Sequence, residues 1–400
     1  RQYKTMKKVF EKIISGIITC SGFLTSVVIL LIVVFLFSEG LGLFSQKTIE
    51  EGYTLVVNKS NPVEELNAKQ IKEVFDEDVT NWEEVGGKPG PIMVFRFEDM
   101  QKYFSEEELG PNYENATSCI NSLVEKNPGI VAFVPEEFAG GDGFSGKRLK
   151  DHTISAGEVF GGNEWFPTAT PAAQFGFMPL ILGTVWVTVF AILFALPFGL
   201  SVAIYMSEVS SARMRAILKP VIELLNGIPS VVYGFFGLIV VVPLLQDVFG
   251  LPVGESGLAG AIVLAIMALP TIITVSQDAM QNCPRSQREA SLALGASKWQ
   301  TIYKVVMPYS ISGITSAVVL GIGRAIGETM AVLMVTGNAA VIPLSITDPL
   351  RTIPATIAAE LGEAPAGGPH YQSLFLLGVV LFFITLIINS SVEYISSKNK

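Results

Sequence analysis

Apolar residues fall in long blocks along this chain. Residues 13–37, 177–206, 224–246, 257–277, 305–347 and 372–392 are each long enough to cross a bilayer, which takes about 20 helical residues. All but the fifth lack Lys and Arg. The pattern predicts six transmembrane helices. Between the first two blocks the period shortens. Tyr53–Asn58, Pro91–Phe95 and Gly129–Val134 read as strands. Asn67 suits the cap of a helix running to about Asp76, with Ile71, Val74 and Phe75 on one face, and Asn115–Lys126 reads as a second helix. Gly140–Gly146 and Gly161–Pro171 read as loops, the latter leading back to the membrane. The expected fold class is an α-helical polytopic membrane protein with an α/β extracytoplasmic domain between helices 1 and 2. Residues 1–37 hold the N-terminus and first helix, 38–175 the domain, and 176–400 the membrane core with five helices.

Basic residues orient the spans. Arg1, Lys4, Lys7, Lys8 and Lys12 precede the first. Arg213, Arg215 and Lys219 separate the second and third, and Arg285, Arg288, Lys298 and Lys304 the fourth and fifth; Lys398 and Lys400 follow the sixth. This predicts a multi-pass protein of the bacterial cytoplasmic (inner) membrane, bathed in lipid, with both termini cytoplasmic. The first block has basic residues before it, as a signal peptide does. With 25 uncharged residues and no small-residue cleavage site, it reads as a retained anchor.

Charge adds one exclusion. The net charge is −9, yet residues 38–175 carry 24 acidic and 11 basic residues. The acidic excess lies outside, so nucleic acid is not an expected partner. Cys20, Cys119 and Cys283 fall in three compartments, which argues against an intrachain disulfide. His152 and His370 are isolated and predict no metal site. No Gly-rich loop ends in Lys-Ser/Thr, and no nucleophile–base set is legible, so no catalytic residues and no cofactor are expected in this chain.

Two stretches carry candidate chemistry. The first is polar: Arg285–Pro308, between the fourth and fifth blocks. Pro284 suits a helix start, Glu289, Ala290, Leu292, Ala293 and Ala296 favour helix, and Gly295 suits a turn. Trp299, Ile302, Tyr303 and Val306 give a second helix an apolar face, and Pro308 introduces the next span. The product is a helix-turn-helix lying along the membrane surface, able to press into a groove on a partner. The second stretch is Gly321–Ala331. Arg324 and Glu328 are the one charged pair deep within a span, and at i,i+4 they can pair on one helix face. Charge at mid-membrane costs roughly 2.5–3.5 kcal/mol, which makes a functional candidate. Arg324 could meet an anionic substrate while Glu328 holds it between visits; an ion pair that only fixes helix register is the other reading. Gly321, Gly323 and Gly327, and in the third block Gly227, Ser230 and Gly234 around Pro229, allow close helix packing. Pro197 and Gly199 predict a kink in the second span, and Glu208 caps its cytoplasmic side.

These stretches also carry a resemblance. Glu289-Ala290-Ser291, Gly295, Val305, Met307 and Pro308 resemble the coupling segment of ABC-importer permeases. Glu223-Leu224-Leu225 with Gly227–Gly234, Gly323–Val332 including Thr329, Thr336-Gly337-Asn338, Thr356–Glu360 and His370-Tyr371 resemble phosphate-specific ABC transporter permeases of the PstC type. The resemblance implies the MetI-like permease fold. It implies that segment 285–308, with Glu289, Ala290, Gly295 and Pro308, docks on an ATPase, and that Arg324, Glu328 and Thr329 line the substrate pathway. The implied partners are a second permease subunit (PstA type), an ATPase dimer (PstB type) that holds ATP and Mg, and an extracytoplasmic phosphate-binding protein (PstS type). Sulfate or molybdate as cargo, or a membrane sensor or scaffold of the phosphate response, are the alternatives.

Residues 38–175 separately resemble part of the phosphate-binding protein family, above all in Thr80–Gly87 around Trp82. That family grips phosphate with a Ser-Gly-Thr turn after a strand ending in Arg. Here Arg96 is followed by Phe97-Glu98-Asp99, whose carboxylates would repel an anion. A docking or spacer domain that does not bind phosphate in the family's manner is expected.

Overall fold

A computed structural model of the chain describes residues 2–140 and 144–397, so Arg1, Lys398 and Lys400 lie outside the described residues. Among the described residues, six helices are long and apolar enough to cross a membrane: Lys12–Ser45, Met178–Val209, Ser230–Phe249, Gly257–Gln281, Lys298–Ile326 and Pro369–Tyr394. They are called the first to sixth spans below.

Outside the spans, β1 (Tyr53–Asn58), β2 (Met93–Arg96), β3 (Ile130–Pro135) and β4 (Gly146–Arg148) form one sheet in the order β2-β3-β1-β4. β3 runs parallel to β2 and antiparallel to β1. Side chains alternate across the sheet, and both faces are covered. Leu55, Val57, Val131 and Phe133 meet α1 (Ala68–Phe75) through Ile71, Val74 and Phe75. Val56, Ile130, Ala132 and Val134 meet α2 (Ala116–Lys126) through Ile120 and Val124. α1 starts as expected: Asn67 and Gln70 satisfy each other's backbone N–H groups. Trp82 is buried and donates from Nε1 to Gly129 O at 2.8 Å, which ties the Trp82 motif to the start of β3.

Two loop expectations need correction. Gly146 lies not in a loop but in β4, which pairs with β1; residues 141–143 are outside the described residues. Within Gly161–Pro171, Trp165–Phe166 forms β5, antiparallel to β6 (Gln174–Phe175).

The fourth span is the axis of the membrane core. Small residues along it, among them Gly257, Ala259, Gly260, Ala265 and Ala268, let neighbours approach. The second span passes through Pro197 without ending. A Cβ on Gly199 would lie 2.8 Å from Ile272 Cγ2, so that glycine serves close packing. Wide helical turns at Gly237–Val241 and Ile302–Val306 end two residues before Pro243 and Pro308. Proline collides with the carbonyl four residues back, and a widened turn lets the helix continue past it. The third and fifth spans therefore stay unbroken at their prolines.

Two predicted spans are redrawn. The third block begins not at 224 but at Ser230; α3 (Ala212–Gly227) is a separate helix before it. The fifth block, 305–347, would make a helix of roughly 65 Å at 1.5 Å per residue, about twice the hydrocarbon thickness. The span instead ends at Ile326. Gly327-Glu328-Thr329 interrupts it, and α4 (Met330–Val335) follows. Residues 336–352 are then largely irregular. Part of this backbone has partners: the Asp348 and Ile346 carbonyls, with that of Val335 at the end of α4, accept from Gly257, Leu258 and Ser256 at the otherwise unsatisfied start of the fourth span.

Candidate functional site

The two interrupted helices meet at their breaks. α3 stops at Gly227, and the third span restarts after Ile228-Pro229. The Tyr233 hydroxyl braces this break by donating to Leu225 O at 2.7 Å. Across from it, Arg324 occupies the last turn of the fifth span, where the partial negative charge of a helix C-terminus favours a cation. Arg324 Nη1 donates to Asn226 Oδ1 at 3.0 Å, joining the two breaks. Just beyond, a Cβ on Gly234 would lie 2.9 Å from Ala331 Cα and 2.8 Å from Met334 Sδ. Gly234 therefore admits the close approach of α4.

The expected Arg324–Glu328 pair does not form. No ion pair joins them among the described residues, because the helix that would place them on one face ends between them. Glu328 Oε1 instead accepts from Ala331 N at 3.2 Å and helps start α4. Thr329 sits in the same turn, its hydroxyl donating to Gly327 O at 3.3 Å. The glycine expectations also divide. Gly321 packs closely on Ile272, whereas a Cβ placed on Gly227 or Gly323 would meet no other part of the described residues within 4 Å beyond its own turn of helix. Pro229 ends the break, and Ser230 opens the third span.

The helix-turn-helix forms where it was expected. α5 (Arg285–Ala293) follows Pro284, Gly295 makes the turn with φ +84°, and Ser297 caps the next helix with Gln300 as its reciprocal partner. That second arm is continuous with the fifth span, so Pro308 lies inside the helix rather than at its start. The Ser291 and Thr301 hydroxyls are 3.0 Å apart and hold the two arms together. Glu289, Ala290, Gly295 and Pro308 are exposed. Leu294 is 90% exposed and Trp299 68%, an apolar display at odds with a surface left in water.

Two further contacts were missed from sequence. Glu208 does more than cap: it accepts from Arg288 of α5 at 2.8 Å. His370, read as isolated, lies with Nε2 3.0 Å from Glu360 Oε2. Glu360 ends α6 (Ile353–Glu360) and also accepts from Arg351 Nη1 at 2.6 Å and from Trp165 Nε1 at 3.0 Å. One carboxylate thereby joins β5, α6 and the start of the sixth span. The run from Thr356 to His370 marked these residues, but nothing in it pointed to Trp165. No metal-ligating cluster exists among the described residues.

In the α/β domain, Arg96 Nη2 donates to Phe75 O at 3.1 Å, and its guanidinium lies 5.3 Å from the centre of the Phe75 ring. It serves the end of α1.

Six spans around a close-packed axis define a multi-pass helical membrane protein. The chain belongs to the family described as binding-protein-dependent transport system inner membrane component, which matches residues 195–400. It is therefore an inner-membrane transport subunit. It is 43% identical over 236 residues to the probable ABC transporter permease protein YqgH of Bacillus subtilis, covering 59% of this chain and 76% of that one. It is 38% identical over 240 residues to the phosphate transport system permease protein PstC of Mesorhizobium japonicum, covering 55% and 73%. Among solved structures, an inward-facing MetNI methionine ABC transporter chain matches with 18% identity and a TM-score of 0.44, covering 56% and 98%.

Proposed function

We propose that this chain is the permease subunit of an ATP-driven importer of inorganic phosphate. The observation that carries the reading is 38% identity over 240 residues to a phosphate transport permease, beside a family match over residues 195–400, the stretch that holds the Arg324 junction. A guanidinium at a break between helices suits an oxyanion, and transport sites are commonly built from interrupted helices.

In this reading the chain forms half of the pathway, and a second permease of the PstA type forms the rest. The open faces at Gly227 and Gly323 support a partner there. The two PstB-type ATPase subunits dock on the coupling segments of the two permeases, in this chain on α5 and the exposed Leu294 and Trp299, with Glu289, Ala290, Gly295 and Pro308 in the docking segment. They hold the ATP and Mg, and this chain carries out transport without catalysis of its own. The basic residues flanking the spans support cytoplasmic termini and a cytoplasmic α5. A PstS-type binding protein delivers phosphate outside, and residues 38–175 act as a docking or spacer domain. The engagement of Arg96 with Phe75 O supports that role.

Phosphate uptake tests the proposal. Deleting the gene should abolish binding-protein-dependent uptake of labelled phosphate, and the intact gene should restore it. Uptake that follows sulfate or molybdate instead would keep the transporter and change its cargo.

A further inference from the structure

Asn226 is the one side chain hydrogen-bonded to the Arg324 guanidinium among the described residues. It comes from a different helix, 98 positions earlier in the chain. From this contact we propose that Asn226 positions Arg324 for the transported oxyanion without neutralising it. The inference rests on the phosphate-import reading and names a residue that the substrate-path motif does not contain.

The chemistry of the acceptor carries the argument. A guanidinium has only donors, so the Asn226 carboxamide must turn its oxygen toward Arg324. The amide orientation is thereby set by the partner. This oxygen orients the cation through Nη1 and leaves its full charge. A carboxylate at the same place would orient it equally well but cancel the charge that an anion must meet. Bidentate recognition of phosphate needs two parallel N–H donors. With Nη1 engaged, the Nε and Nη2 edge remains available for that fork. The Asn226 amino group, facing away from Arg324, is a further neutral donor beside it.

Location supports the assignment. Asn226 is exposed in this chain and Arg324 is partly exposed, so both can be reached from the open side of the junction. Asn226 is also the next-to-last residue of α3, immediately before the Gly227-Ile228-Pro229 break. Movement of α3 relative to the fifth span would release or re-form the contact. The residue therefore also ties guanidinium placement to the relative position of the two broken helices.

The test uses the complete transporter in cells that depend on it for phosphate. Asn226→Asp, Asn226→Ala and Asn226→Gln are compared with the unaltered protein at matched membrane levels and matched ATPase co-purification. Asn226→Asp should be the most damaging, although it is nearly isosteric, because its carboxylate pairs with Arg324. Asn226→Ala should lower the maximal rate about tenfold, the effect of losing one hydrogen bond to a charged group. Asn226→Gln, which keeps the carboxamide, should retain most of the rate. The half-saturating phosphate concentration should hold, since capture from solution belongs to the binding protein. Unaltered uptake in Asn226→Asp overturns the inference and leaves the phosphate reading standing. An equal fall in Asn226→Gln and Asn226→Asp makes the position structural and also overturns it. Absence of phosphate uptake by the unaltered protein overturns the phosphate reading and, with it, this inference.

Discussion

Arg288 of α5 and Glu208 at the end of the second span are joined by a 2.8 Å ion pair. The same Arg288 Nη2 donates to Met280 O at 2.7 Å, in the last turn of the fourth span. The pair is only partly exposed, with side chains 23% and 10% accessible. It is the most direct tie between α5 and helices other than the one α5 leads into. A force on α5 therefore reaches the second and fourth spans without passing through the Gly295 turn.

Arg288→Ala should break that tie and leave the largely buried Glu208 carboxylate without a cation, held by the Ser207 hydroxyl. Transport should fall about tenfold or more, the scale of one lost charged hydrogen bond. ATP hydrolysis by the assembled complex should persist. The check is uptake and hydrolysis measured on the same reconstituted transporter; uptake at the unaltered rate would reduce the pair to surface decoration.

Gly295→Asp should abolish uptake while the protein remains in the membrane. At φ +84° an L side chain is strained by roughly 1–2 kcal/mol, and the position is exposed at the proposed ATPase contact. Membrane immunoblotting and phosphate uptake decide it together, and intact uptake would sink the docking role of this turn.

Arg324→Gln should lower phosphate uptake while ATPase subunits still co-purify. Because Arg324 and Glu328 serve different partners, exchanging them (Arg324→Glu with Glu328→Arg) should not restore activity. Glu328→Gln keeps an oxygen for Ala331 N and should be milder than Glu328→Ala, which loses a cap of about 1 kcal/mol. Recovery of uptake in the exchanged protein would mean that the two charges pair during the cycle.

Trp165→Phe should loosen the α/β domain from the membrane core. The indole is 2% exposed and its Nε1 donates to the Glu360 carboxylate at 3.0 Å. A hydrogen bond to a charged group contributes about 1.5–3 kcal/mol. Limited proteolysis should cut faster near residues 161–171, and the thermal midpoint should drop. Unchanged cleavage would place the domain's attachment elsewhere, for example in the cluster of Leu43, Phe175, Phe177 and Leu376.

Much of this architecture is local and was legible. Six apolar blocks, the Asn67 cap, the first strand and the helix-turn-helix about Gly295 depend on residues within a turn or two of each other, so periodicity and propensity report them directly. The fifth block misled because hydropathy records where the chain is apolar, not where its backbone finds partners. Residues 336–352 are tolerated as irregular chain because their carbonyls close the start of the fourth span. The i,i+4 spacing of Arg324 and Glu328 misled for the same reason, since it presumes a helix that Gly327 ends.

The sequence by itself determined the presence of six apolar spans, the elements of the α/β domain and the family motifs, because each is written in short-range order; the bounds of the third and fifth spans it did not. Only the tertiary structure decided which polar groups meet. Arg288 reaches Glu208 across 80 positions, Arg324 reaches Asn226 across 98, and Trp165 reaches Glu360 across 195. A donor in an apolar setting must find an acceptor, but its identity depends on how the helices pack. That packing is set by small residues such as Gly199, Gly234 and Gly321, whose missing side chains decide which helices lie close enough to exchange a proton donor for an acceptor.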